Sequence, residues 1–284
     1  MELSNKTVMI TGATSGIGYA TAELMLESGY HAILVGSNAE KTNMARQNLK
    51  IKFPNALIDF IHADLSNLSE VNKVADEVIC LLKDKYNNHL DVLVNNAGAV
   101  RTEYTKTKEG YEYQLALNHL SGFLMSHRLY KYMQNGTIIF TGSYSHMKAK
   151  LHWPDLMCSK NYFIFTVYKQ SKLCNIMTAK KLNEILLPMN IHVYVVDPGL
   201  VKTDIASKHT SWLVRFVWKI RSQKGINPNL PAKTYLYLAE NNPKEGLNFR
   251  ECKAIPYNSS VDDISEVNRL FKYSEELCKI HFIE

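Results

Sequence analysis

Tyr168 and Lys172 stand four residues apart inside Phe163 to Leu187, a run whose apolar spacing predicts a helix. At that spacing two side chains share one helix face, with Cβ atoms roughly 5–6 Å apart. A phenol and an ammonium are thereby held side by side. A free tyrosine titrates near ~10, so proton transfer near neutral pH requires a fall of roughly three units, or about 4 kcal/mol. A cation about 4 Å away, at an effective dielectric of ~20, contributes a term of that order. Lys172 is therefore expected to lower the pKa of Tyr168 and make it an acid-base group. Y-x-x-x-K also occurs as a solvated pair on ordinary helix surfaces, so the surrounding elements must decide.

Those elements alternate between strand and helix. Thr7-Val8-Met9-Ile10-Thr11 is a buried-strand run that enters Gly12-Ala13-Thr14-Ser15-Gly16-Ile17-Gly18 and then a helical pattern ending at Gly29. Strand, glycine turn and helix place unpaired backbone amides at a helix N-terminus, where a pyrophosphate can approach closely. Gly12, Thr14, Ser15, Gly16, Ile17 and Gly18 are thus candidate cofactor contacts. After the second strand, His31 to Val35, an NAD site wants a carboxylate and an NADP site a cation. Gly36-Ser37-Asn38 stands there instead. With no acid to repel a 2′-phosphate, and with Ser37, Asn38 and Lys41 able to donate to one, NADP(H) is favoured and NAD(H) stays open.

The third strand, Ala56 to His62, leads into Asp64 and Leu65. Asp64 either accepts from an adenine amino group or caps the following helix, Leu68 to about Lys83. The fourth strand, Leu90 to Val94, ends in Asn95-Asn96-Ala97-Gly98, small and amide-rich where a cofactor must pass; Asn95, Ala97 and Gly98 are its candidates. Fifth and sixth strands, Gly136 to Thr141 and Ile191 to Val196, end near Ser143 and at Asp197-Pro198-Gly199. This alternation predicts a doubly wound, Rossmann-type parallel α/β sheet of about seven strands with helices on both faces, in a single domain over 1–284. The Pro198-Gly199 turn either lets backbone pass a nicotinamide ring or merely ends a strand.

Bulk composition narrows the classes. The 46% hydrophobic and 21% charged residues are those of an ordinary globule. Five scattered cysteines without a C-x-x-C pair, and histidines without H-x-x-x-H spacing, predict reduced thiols and neither a disulfide framework nor a metal site. The net charge of +6 is spread over helix faces, which argues against a nucleic-acid partner. Met1 to Lys6 lacks a signal peptide's apolar core and no apolar run reaches the ~18 residues of a membrane span, so a cytoplasmic location is expected.

Taken together, Thr11-Gly12-x-x-x-Gly16-Ile17-Gly18, Asn95-Asn96-Ala97-Gly98, Ser143 and Tyr168-x-x-x-Lys172 resemble the short-chain dehydrogenase/reductase family, in order and in context. Leu117 to Leu124, Ser143-Tyr144-Ser145-His146, Ser171 to Asn175 and Asp197 to Ile205 are most similar to its retinol dehydrogenase-like branch, which is also close to protochlorophyllide reductase. The resemblance implies an NAD(P)-dependent oxidoreductase acting on an alcohol or carbonyl. It assigns Tyr168 as general acid or base, Lys172 as the cation that also grips the nicotinamide ribose, Ser143 as the hydroxyl that holds the substrate oxygen, and Asn118 as organiser of a proton-relay water. It puts Val201 and Thr203 on the carboxamide and implies a homodimer through the helices of Asn118 and Tyr168. Two departures stand out. The branch usually has arginine where Ser37 stands, and its animal members often carry an N-terminal anchor that is not expected here.

On the substrate side, residues 205–239 contain no Asp or Glu. The family's lid falls at about 201–228, and here Leu213, Phe216, Val217 and Ile220 repeat at helical spacing beside Trp212 and Trp218. An aromatic, apolar lid implies a lipophilic substrate, with Trp212 and Phe216 as its contacts. The basic rim at 208–224 either touches an anionic membrane surface or packs on its own protein. An insertion at 147–165, with Trp153, Tyr162 and Phe163, is expected to form another wall of the same cleft. Against the enzyme stands a different class, a dinucleotide-binding sensor without turnover. The set Asn118, Ser143, Tyr168 and Lys172 favours catalysis, since a sensor needs no activated phenol.

Overall fold

The computed structural model describes residues 6–200 and 227–282. Among the described residues eight strands form one sheet in the order β3-β2-β1-β4-β5-β6-β7-β8. They are β1 Thr7–Thr11, β2 His31–Gly36, β3 Ile58–His62, β4 Val92–Asn95, β5 Thr137–Thr141, β6 His192–Val196, β7 Asn248–Arg250 and β8 Lys253–Ala254. All neighbours pair in parallel except β7 and β8, which form an antiparallel edge. The expected doubly wound sheet is therefore present. It has one strand more than about seven, because the short β7 and β8 close one edge.

Period-two alternation divides the strand side chains between two cores. Met9, Leu93, Ile138, Phe140, Val193 and Val195 face one layer, while Val8, Ile10, Val92, Val94, Ile139, Tyr194 and Val196 face the other. Helices α3 (Leu68–Lys85), α5 (Ser121–Leu129), α6 (Ile164–Leu186) and α8 (Ile264–Cys278) cover the first face. The second is covered by α1 (Gly16–Glu27), α2 (Ala39–Lys52) and α7 (Asn229–Asn241). A one-turn α4, Tyr113–Leu115, runs through a π-helical turn, Ala116–Leu120, into α5.

Strand order reverses between β1 and β4, which leaves a crevice beyond their carboxyl ends, the place where open α/β sheets bind ligands. The residues that could do chemistry are carried to that edge. The lid at 201–228 lies outside the described residues up to 226, and so do Val201, Thr203, Trp212, Phe216 and the basic rim at 208–224. Among the described residues no helix is long and apolar enough to cross a membrane.

Candidate active site

The floor of the cleft is backbone. Gly12 adopts φ +68°, a left-handed turn that β-carbon-bearing residues rarely enter. A Cβ on Gly18 would lie 2.3 Å from the Gly12 carbonyl oxygen, so the turn can fold onto α1 only if that residue is glycine. Ser15 occupies the α1 N-cap with no side-chain cap bond, and no acid stands in the first turn. The helix amides there are left to a ligand, and this cradle fits a dinucleotide pyrophosphate. Thr11 Oγ1 accepts from the amides of Asn96 and Ala97 at 3.0 Å each, and Asn96 Nδ2 donates to the Thr11 carbonyl at 3.0 Å. These bonds tie β1 to the end of β4.

The cleft holds about 600 Å³. Every described residue nominated for the cofactor lines it, with one exception. Asn95 turns away: it is 7% exposed and donates through Nδ2 to Ser126 Oγ at 3.1 Å. The side chain reaching the cleft from this pair belongs to Asn96. Strand alternation explains the swap, since consecutive residues at a strand end face opposite ways. Asp64 is not the helix cap, because Asn67 stands at the α3 N-cap; Asp64 instead accepts from the Ser66 amide at 3.1 Å and lines the cleft. Asn38 Oδ1 caps α2 by accepting from the Lys41 amide at 2.8 Å, and Ser37 is exposed beside it.

The catalytic candidates converge at the other end. Ser143, Tyr168 and Lys172 all line the cleft, with Lys172 Nζ 5.8 Å from the centroid of the Tyr168 ring. Lys172 is 3% exposed and donates to the Thr141 carbonyl at 2.8 Å. Asn118 lies in the π turn, where an extra residue per turn redirects the side chain, a distortion often found at functional sites. Its amide accepts from Ala99 N at 2.8 Å, donates to Ala99 O at 3.0 Å and donates to Ser171 Oγ at 3.1 Å. Asn118 thereby fastens the catalytic helix to the strand-end loop. Ser143 carries the hydrogen bond to Tyr168, while Ser145 donates its own hydroxyl to Ser143 Oγ at 3.0 Å.

The electrostatics correct one expectation. Tyr168 is not lowered; burial pushes it up to about 12, the Ser143 hydrogen bond pulls it down in part, and the Asp197 carboxylate raises it. Burial also draws Lys172 down to about 8, against an upward pull from Asp197. The protein places both groups where their charged forms are poorly solvated, and burial is the largest cause of each shift. Tyr168 accordingly keeps its proton at neutral pH and is poised as an acid.

The short chain dehydrogenase family profile matches residues 6–214. The chain belongs to that family. Among its relatives, human polyprenol dehydrogenase is 30% identical over 90% of this chain and 82% of its own length. Mouse retinol dehydrogenase 14 is 30% identical over 98% and 87%, and mouse retinol dehydrogenase 12 is 27% identical over 99% and 89%. These relatives place it in the retinol dehydrogenase-like branch. Among solved structures, an uncharacterized protein from Mycobacterium paratuberculosis superposes with TM-score 0.76 at 23% identity, covering 98% of this chain and 95% of that one. A Sphingobium yanoikuyae short-chain dehydrogenase in complex with NADPH gives 0.67 at 20% identity, covering 94% and 95%. This short-chain dehydrogenase is thus an NAD(P)-dependent oxidoreductase of alcohol and carbonyl groups.

Three residues of the dehydrogenase's site, Asp197, Asn258 and His146, have roles that the sequence did not assign. Asp197, 1% exposed, pairs with Arg250 at 2.5 Å and accepts from the Gly199 amide at 3.0 Å, so a buried carboxylate anchors the Pro198-Gly199 turn. Asn258, from the segment before α8, donates to the carbonyls of His146 and Ala149 at 2.8 and 2.9 Å and fixes the turn after Ser143. His146 donates from Nδ1 to the Ser143 carbonyl at 2.5 Å, and burial keeps the ring neutral by lowering its pKa. Among the described residues, none of 147–165 lines the cleft. Trp153 donates to Glu266 Oε2 at 2.7 Å on α8, Tyr162 donates to the Arg101 carbonyl at 2.8 Å, and Phe163 is exposed.

Proposed function

We propose that this dehydrogenase transfers hydride between NADP(H) and the carbonyl or alcohol carbon of a lipophilic molecule, with NAD(H) usable but weaker. The observation that carries this reading is the convergence of Ser143, Tyr168 and Lys172 on one cleft mouth at the sheet's carboxyl edge, with Asn118 braced behind them. When bound, the nicotinamide supplies or accepts the hydride. Ser143 holds the substrate oxygen, Tyr168 gives it a proton during reduction and takes one during oxidation, and Lys172 holds positive charge beside the phenol.

Support for NADP(H) is local to β2. Ser37, Asn38 and Lys41 line the cleft past that strand, and none is a carboxylate that would repel a 2′-phosphate. The substrate class follows from relatives named for retinol and polyprenol, both long apolar alcohols, and from the apolar sequence of the lid. The same reading carries a single-domain cytoplasmic homodimer, which light scattering checks. Titrating tryptophan fluorescence with NADPH and NADH tests the cofactor, followed by turnover with retinal, long-chain aldehydes and steroids. NADPH is expected to bind about tenfold tighter, a difference of about 1.4 kcal/mol. Much tighter NADH, or turnover confined to polar substrates, overturns the reading.

A further inference from the structure

A second cavity of about 590 Å³ lies outside the dinucleotide cleft, between the insertion and the first turns of α6. Lys148, Lys150, Lys160 and Lys169 line it, with His152 beside them. Among the described residues none of these four ammonium groups lies within 4 Å of a carboxylate, although Lys52, Lys73, Lys85, Lys180 and Lys181 all do. Cations gathered on one concave surface repel one another, and low-dielectric walls focus their field toward the centre. One carboxylate lines the cavity, that of Asp155, and it is already engaged. Its oxygens accept from Ser159 N at 3.0 Å, Ser159 Oγ at 3.1 Å and Lys160 N at 2.9 Å, which hold it ionised below the usual carboxylate range. Cys158 adds no charge, since burial pushes its thiol up to about 11.

The walls are fixed rather than draped. Gln170, 1% exposed, accepts from His152 N at 2.9 Å and donates to Leu156 O at 2.7 Å, which fastens the insertion to α6. Asn258 holds the Ala149 carbonyl between Lys148 and Lys150. Residue 158 turns the loop in the left-handed region at φ +49°. Four cations are thus carried by a fixed loop and helix around a space large enough for a small ligand.

We propose that this cavity is an anion site, separate from the dinucleotide cleft, that takes a phosphate- or diphosphate-bearing molecule. The phosphate belongs either to a free solute or to a lipid headgroup, and Lys169 brings it to the residue after the catalytic Tyr168.

Calorimetric titration with sodium pyrophosphate tests it, run with the full chain and saturating NADPH or NADH so that the glycine turn is filled. One saturable site per chain is expected, weakened about tenfold in K150Q/K160Q as two of four cations are lost, and retained in K150R/K160R. Dinucleotide affinity stays unchanged in both variants, which also shows that they are folded. Sedimentation with phosphatidylcholine vesicles, with and without phosphatidylinositol 4-phosphate, separates the sources. Binding only to the phosphorylated vesicles, competed by pyrophosphate, assigns a headgroup; binding of pyrophosphate without vesicle capture assigns a free solute. The absence of both, or equal binding in K150Q/K160Q, overturns the site.

Discussion

The two cavities are nearly equal in volume, about 600 and 590 Å³, and opposite in construction. The dinucleotide cleft is floored by a glycine turn and open helix amides, with a buried ammonium, Lys172, at the catalytic end. The cavity beside α6 is lined by flexible cationic side chains hung on a loop fixed by Asp155 and Gln170. Backbone recognition demands a particular chain path, so its geometry is unforgiving. Recognition by lysine ammoniums demands only positive charge at the right distance.

Breaking the backbone side of this comparison should have the largest effect. Gly18→Val introduces a Cβ 2.3 Å from the Gly12 carbonyl oxygen, so the turn must open. Dinucleotide affinity should fall about a hundredfold or more, ~3 kcal/mol, in a fluorescence titration, while the pyrophosphate site beside α6 is untouched. Parallel loss at both sites would show that the two cavities are not independent.

A smaller effect sharpens the catalytic end. Lys172 titrates near 8 and Tyr168 near 12, so carbonyl reduction should hold steady below pH 8 and decline as pH rises through about 8. Alcohol oxidation should instead climb with pH, because it needs the phenolate. Asp197 raises both groups, so removing its charge lowers both. In Asp197→Asn both limbs should move to acid pH by about half to one unit, read from initial rates across pH. A shift to alkaline pH would contradict the assignment of that carboxylate.

Smaller still is the effect expected at Asn258. Asn258→Ala frees the carbonyls of His146 and Ala149 and loosens the turn carrying Ser143. A fall in kcat of about five- to tenfold is expected, roughly 1 kcal/mol of lost positioning, with dinucleotide affinity unchanged. A loss confined to dinucleotide affinity would contradict this positioning role of Asn258.

The same contrast governs how much could be read in advance. Strands β1 to β6 and the helix of Tyr168 were legible to within a few residues because buried strands and amphipathic helices repeat with fixed periods. The glycine turn was legible because only glycine tolerates that path. Strands β7 and β8, three and two residues long, are too short to show a period. Asn95 and Asn96 were exchanged because the sequence does not say where the strand's alternation stops. Arg250 and Asp197 lie 53 residues apart and meet only because β6 and β7 pair. The sign of the Tyr168 shift was missed because spacing reports the distance to Lys172 and says nothing of burial. The lysines at 148, 150, 160 and 169 read as scattered surface charge until the insertion folds them around one space.

The central claim is that Tyr168 exchanges the proton that accompanies hydride transfer, and Tyr168→Phe tests it with a single hydroxyl removed. Steady-state turnover of the best aldehyde, measured beside a dinucleotide titration on the same preparation, should fall about a hundred- to ten-thousandfold while the dissociation constant stays within about twofold. Turnover retained within tenfold of wild type, with the dinucleotide still bound, would contradict it.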